Sequence, residues 1–108
     1  MINFEDGMSL DELIAENRIL IVEYGSFTCA PCNVLRCKIE AWSRNKKMVC
    51  AVYIDVEKYK KISAQQGILS APTILVYVDG HLAIRDSGYF SLELLFDGVN
   101  RNIEMLGD

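Results

Sequence analysis

Apolar residues change their spacing from segment to segment along this chain, and the spacing predicts the elements. Ile2-Asn3-Phe4 suits a short edge strand. Ser9 stands where a helix N-cap belongs, with Glu12 three residues on to complete a capping box, and Leu10, Leu13 and Ile14 form an apolar face beyond it. Ile19-Leu20-Ile21-Val22 is an unbroken apolar run, mostly β-branched, ending at Glu23-Tyr24-Gly25. Such a run reads as a strand buried on both faces. From about Pro31 to Asn45 the spacing becomes helical: Cys32, Leu35, Ile39 and Trp42 recur on one stripe, and Arg44, Lys46 and Lys47 gather at its end, where cations suit the dipole. Met48 to Ile54 reads as a second buried strand. A polar helix over about 57–66 follows, with Gly67 placed to stop it.

Thr73 to Val78 is a third strand, introduced by Ala71-Pro72. Asp79-Gly80 is the strongest short hairpin signal in the chain, and His81 to Asp86 supplies the partner strand. Leu92, Leu95, Phe96, Val99, Ile103 and Leu106 mark a final amphipathic helix. The order β-α-β-α-β-α-β-β-α predicts an α/β fold. Early strands joined by helices pair in parallel through right-handed crossovers, the late hairpin adds antiparallel strands, and helices flank a central mixed sheet.

Length and charge narrow the picture. At 108 residues the expectation is one domain spanning 1–108. The net charge of −4 disfavours a nucleic-acid partner, which needs a basic face to displace counterions. No apolar run approaches the ~20 residues of a membrane span. Met1 to Asp11 carries Glu5, Asp6 and Asp11 without a basic or apolar leader region, so a cytoplasmic location is expected. A monomer is expected as well.

Candidate chemistry centres on Cys29-Ala30-Pro31-Cys32. Cys29 stands between the end of a buried strand and the start of a helix, where unpaired N–H groups carry partial positive charge. A thiolate there is stabilised below the free-thiol pKa of about 8.5. Pro31 fits a first helical turn and stiffens the link between the sulfurs. Cys32, inside that turn and more covered, closes a small ring onto Cys29. Cys29 would attack a substrate disulfide, and Cys32 would then attack Cys29 and release the reduced product. Two buried thiols or a zinc knuckle are the alternatives. A structural zinc site wants a second close ligand pair, whereas Cys37 and Cys50 stand apart and His81 is the sole histidine, so neither metal nor cofactor is expected. Cys37 lies about 140° around the helix from Cys32 and, like Cys50, is expected to be a core thiol. Trp42 is expected to pack and His81 to be exposed.

The chain resembles the thioredoxin family over nearly its whole length. The likeness rests on Ile19-Leu20-Ile21-Val22-Glu23-Tyr24, Cys29-Ala30-Pro31-Cys32, Val52-Tyr53-Ile54-Asp55, Ala71-Pro72-Thr73, Asp79-Gly80 and Gly88. It implies a thioredoxin fold, disulfide-containing protein substrates and a thioredoxin-reductase-like electron donor. It further implies that Pro72 follows a cis bond beside the cysteines. Ala71 would then offer its backbone to an extended substrate, with Ala30, Pro31, Pro72 and Gly88 lining the contact. Glu23 matches the family's buried aspartate. Desolvation would raise its pKa and let it take the proton of Cys32.

Several positions depart from the family pattern. Thr28 stands in place of tryptophan, Ala30 in place of glycine, Gly25 in place of a bulky aromatic that Phe27 would partly replace, and Cys37 in place of a helix-kinking proline. Ala51 stands where a lysine often neighbours the buried acid. The leading reading is a thiol–disulfide oxidoreductase. An adaptor with a vestigial or regulatory cysteine pair, and a metal or cluster carrier, are the competing functions.

Overall fold

A computed structural model of the chain describes residues 1–88 and 90–107. Its elements are β1 (Ile2–Asn3), α1 (Leu10–Glu16), β2 (Ile19–Gly25), α2 (Ala30–Ser43), β3 (Val49–Asp55), α3 (Lys60–Gln65), β4 (Thr73–Val78), β5 (His81–Ser87) and α4 (Leu92–Leu106). This is the expected order. The five strands form one sheet, β1-β3-β2-β4-β5. β1, β3 and β2 run parallel, and β4 and β5 are antiparallel to their neighbours.

The apolar run of β2 occupies the middle of the sheet, and all seven of its residues are buried. Its alternation sorts them between two layers. Leu20, Val22 and Tyr24 pack with Val52, Ile54, Leu75 and Tyr77, against Leu10, Leu13 and Ile14 of α1 and Ile62 of α3. Ile19 and Ile21 pack with Ala51, Ile74 and Val76, against Leu35 and Ile39 of α2 and Leu95 and Val99 of α4. The indole of Trp42 stacks on Phe96, ring centroids 4.3 Å apart, and joins α2 to α4.

Local sequence signals end the elements. Ser9 Oγ accepts the Glu12 N–H at 3.2 Å and Ser91 Oγ accepts the Leu94 N–H at 3.1 Å, each satisfying a donor that the helix leaves unpaired. Asp79 and Gly80 both take positive φ, 49° and 83°, which suits a two-residue turn to the twist of β4 and β5. Arg18 Nε also donates to Asp79 Oδ1 at 3.1 Å.

The structure corrects three expectations and refines a fourth. The polar helix is shorter than 57–66, because Asp55 Oδ1 accepts the Glu57 N–H at 2.9 Å and holds the start of that segment in a turn. Helix α2 stops at Ser43, so Lys46 and Lys47 lie beyond its last turn; Lys46 Nζ instead sits 5.2 Å over the Trp42 ring. Cys37 is not a core thiol but an exposed one, on the side of α2 away from the buried stripe of Cys32, Leu35 and Ile39. Cys50 packs against the core as expected but is only half-buried, because the short β1 pairs with β3 at Val52 and Tyr53 alone and leaves Val49 and Cys50 at an open edge.

Candidate active site

The chain leaves β2 at Gly25 and enters α2 at Ala30 through a four-residue turn tied by its own polar groups. Ser26 Oγ accepts the Thr28 N–H at 3.2 Å and lies 2.9 Å from Thr28 Oγ1, and the Cys29 N–H reaches the Ser26 carbonyl at 3.0 Å. Asn33 Nδ2 donates to the Phe27 carbonyl at 3.0 Å and fastens the turn to the helix. The result places Cys29 at the N-cap of α2, with Pro31 in the first turn where a missing N–H costs nothing. Cys29 Sγ accepts the Cys32 N–H at 3.3 Å. A sulfur so placed meets both the unpaired donors and the positive end of the helix, which favour its anionic form. Cys29 and Cys32 are joined as a disulfide, with Cα atoms 5.3 Å apart. Cys29 is half-buried, and Cys32 is wholly inaccessible.

Two further loops meet this turn. The Ala71–Pro72 bond is cis, the isomer that the resemblance implies, and Ala71 is exposed. Gly88, with φ 69°, donates its N–H to the Pro72 carbonyl at 3.4 Å. An open groove of about 440 Å³ runs from here along α2, and Ala30, Pro31, Val34, Lys38, Pro72 and Gly88 are among its walls. Of the residues singled out in the sequence, Ala30, Pro31, Pro72 and Gly88 therefore share one groove. Ala71 is not among its lining residues.

Behind the cysteines lies a polar layer. Glu23 is fully buried, and among the described residues no protein group hydrogen-bonds either carboxylate oxygen. Burial pushes its pKa up to about 8, and the charge of Arg36 lowers it somewhat. Glu23 is register partner to Tyr53 on β3. The Tyr53 hydroxyl is also buried without a partner among the described residues, and burial, followed by the charge of Glu23, pushes its pKa up to about 12. The Arg36 guanidinium covers this corner, 5.4 Å from the Tyr53 ring centroid and 5.6 Å from that of Phe27.

Tyr53, Arg36 and Gly25 enter the site in ways that sequence reading missed. An ideal Cβ on Gly25 would lie 2.6 Å from the Tyr53 hydroxyl oxygen and 2.9 Å from Cys32 Cβ. The space opened by Gly25 is thus filled by the Tyr53 side chain reaching across from β3. Phe27 does not enter it; it is exposed and rests on Tyr53 with ring centroids 5.3 Å apart. The positive charge that Ala51 cannot supply comes from α2 instead, as Arg36. Two signals were available. Tyr53 shares its strand face with Ala51, toward α2, and Arg36 stands four residues after Cys32, on the same side of the helix.

Comparisons with known proteins agree with this geometry. A sequence profile of the family described as Thioredoxin matches residues 3–101. A thioredoxin of Mycoplasmoides gallisepticum is 31% identical over 80 residues, covering 74% of this chain and 80% of that protein. A thioredoxin of Rickettsia bellii is 24% identical over 102 residues, covering 94% and 97%. Among solved structures, a mutant thioredoxin from Halobacterium salinarum superposes with a TM-score of 0.83 at 19% identity, covering 94% of this chain and 88% of that one. The oxidised mitochondrial thioredoxin 3 of Saccharomyces cerevisiae does so with a TM-score of 0.82 at 20% identity, covering 94% of each. With its cysteine pair at the head of α2, this chain is a protein-disulfide oxidoreductase and belongs to the thioredoxin family.

Proposed function

We propose that the chain works as a reductant of protein disulfides in which Cys29 attacks, Cys32 resolves and Glu23 accepts the proton that Cys32 gives up. The observation that carries this reading is the asymmetry of the pair. Cys29 is reachable and held at the N-cap, while Cys32 is sealed beneath it. In the first step the Cys29 thiolate displaces one sulfur of the substrate disulfide and forms a mixed disulfide. In the second, Cys32 loses its proton, attacks Cys29 and frees the other substrate sulfur. Glu23 suits the second step, because a carboxyl whose pKa is pushed up to about 8 has, in its ionised form, a proton affinity close to that of a thiolate.

The same proposal places the substrate in the groove walled by Ala30, Pro31, Pro72 and Gly88, with the exposed backbone at Ala71 offered to an extended segment. A thioredoxin-reductase-like protein returns the electrons. The exposed free thiol of Cys37 suits a reducing compartment such as the cytoplasm. Because one chain carries the whole constellation, the working unit is a monomer.

Mixed-disulfide trapping tests the division of labour. A Cys32→Ser column exposed to lysate should retain partners that dithiothreitol releases, since the second step is blocked. A Cys29→Ser column should retain none. Equal yields from the two columns would sink the assigned roles.

A further inference from the structure

We infer that the Tyr53 hydroxyl is a proton relay between the Cys32 thiol and the Glu23 carboxylate, at a place it can reach only because residue 25 is glycine. Three observations meet at this point. First, the Tyr53 hydroxyl and Cys32 Cβ both press on the space beside Gly25, at 2.6 and 2.9 Å from where a Cβ would stand. Second, Tyr53 is the register partner of Glu23 on the adjacent parallel strand, so both side chains rise from the same face of the sheet. Third, Glu23 Oε1, Glu23 Oε2 and the Tyr53 hydroxyl are all buried and, among the described residues, none has a protein partner. Buried polar atoms are rarely left so, and groups used in chemistry are among the exceptions.

Among the described residues, charged groups reach this corner from several elements, and Glu5 and Lys58 line the pocket on the Phe27 side of Tyr53. Glu23 comes from β2, Asp55 from β3 and Arg36 from α2, and Arg36 lies over the outer face of the tyrosine ring. No titratable residue of β4 faces it: the β4 neighbour of Glu23 is Ile74, which is apolar.

A tyrosine hydroxyl can accept one proton while giving up another. In the resolving step the Cys32 S–H bond breaks as its sulfur attacks Cys29. That proton passes to the Tyr53 oxygen, and the original phenolic proton passes to the Glu23 carboxylate, each through one water. The Cys32–Cys29 bond forms, the bond from Cys29 to the substrate sulfur breaks, and its electron pair leaves on that sulfur. Tyrosine ends as it began. The cysteine pair is oxidised, the substrate is reduced, and the proton rests on Glu23.

This inference rests on the proton-accepting role proposed for Glu23, and the tests separate the two. Stopped-flow measurement of mixed-disulfide release is the readout, with Cys29 alkylation as the control for the first step. Tyr53→Phe keeps the ring under Arg36 and removes only the oxygen. It should slow release about 10- to 100-fold, leave alkylation and thermal stability near wild type, and add nothing further in a Glu23→Gln background. Release at the wild-type rate, or losses that multiply in the double variant, would overturn the relay. If Glu23→Gln is slow and Tyr53→Phe is not, only the relay falls; if Glu23→Gln itself releases normally, both fall. A proton inventory of wild-type release in mixed H2O and D2O needs no variant. More than one proton in flight should bow the plot, and a straight line would overturn the relay.

Discussion

Two parts of one layer, a single strand step apart, are built on opposite rules. On the α2 side of the sheet, Ile19 and Ile21 sit among Ala51, Ile74, Val76, Ile39, Leu95 and Val99, a wholly apolar packing. Continue along β2 in the same alternation and the next inward residue is Glu23, with Tyr53 beside it and Arg36 above. The first part gains free energy from every buried methyl group. The second holds polar atoms away from water without protein partners, at a cost. The cost falls at the corner where Tyr53 and Cys32 meet beside Gly25. The apolar part is what lets the fold tolerate the polar one.

That contrast can be broken from either side. A large stability effect is expected in the apolar part: Ile21→Ala should cost about 2–5 kcal/mol, read by urea denaturation, while the folded fraction keeps its disulfide-exchange rate. A small loss would mean that this layer is not where the stability lies.

Glu23→Gln tests the polar part through pH. The folded pKa is about 8, above the ordinary 4.5, so the folded state holds its proton over a range where the unfolded chain has lost it. Ionisation of Glu23 therefore costs the wild type no stability below about pH 4.5. Between that value and about 8, stability falls by roughly 1.4 kcal/mol per pH unit, and above 8 the loss is complete. The stability of Glu23→Gln relative to wild type should rise across that window and level off on both sides. A difference that stays flat from pH 4 to 9 would place the carboxylate in water.

The smallest effect lies outside both parts. Ser91→Ala removes the cap of α4 and should cost about 1 kcal/mol without altering either chemical step, measured by thermal melting and insulin reduction. A change in rate here would show that the apolar part and the active site are coupled through α4.

Much of the frame could be read from pattern. The uninterrupted run at 19–22, the helical stripe through Leu35 and Ile39, and Asp79-Gly80 each impose a local geometry that tertiary packing had no reason to override. The start of α3 differs from the pattern where a single side chain, the Asp55 carboxylate, decides it, and α2 ends two residues before Asn45. The spacing of Cys37 from Leu35 and Ile39 points it outward, so helical periodicity along the whole stripe accounts for its exposure.

The sequence by itself determined the order of elements and the placing of Cys29 at a strand-to-helix junction. These follow from local preference and periodicity, which act within a few residues. Only the tertiary structure decided what surrounds the acid. Tyr53 lies 30 positions from Glu23, and Arg36 stands on a crossover helix. They meet behind Cys32 because β2 and β3 pair in parallel with Glu23 opposite Tyr53, and because Gly25, lacking a Cβ, lets the Tyr53 hydroxyl come close to Cys32. Register and close approach are properties of packed chains, and no local pattern of residues encodes them.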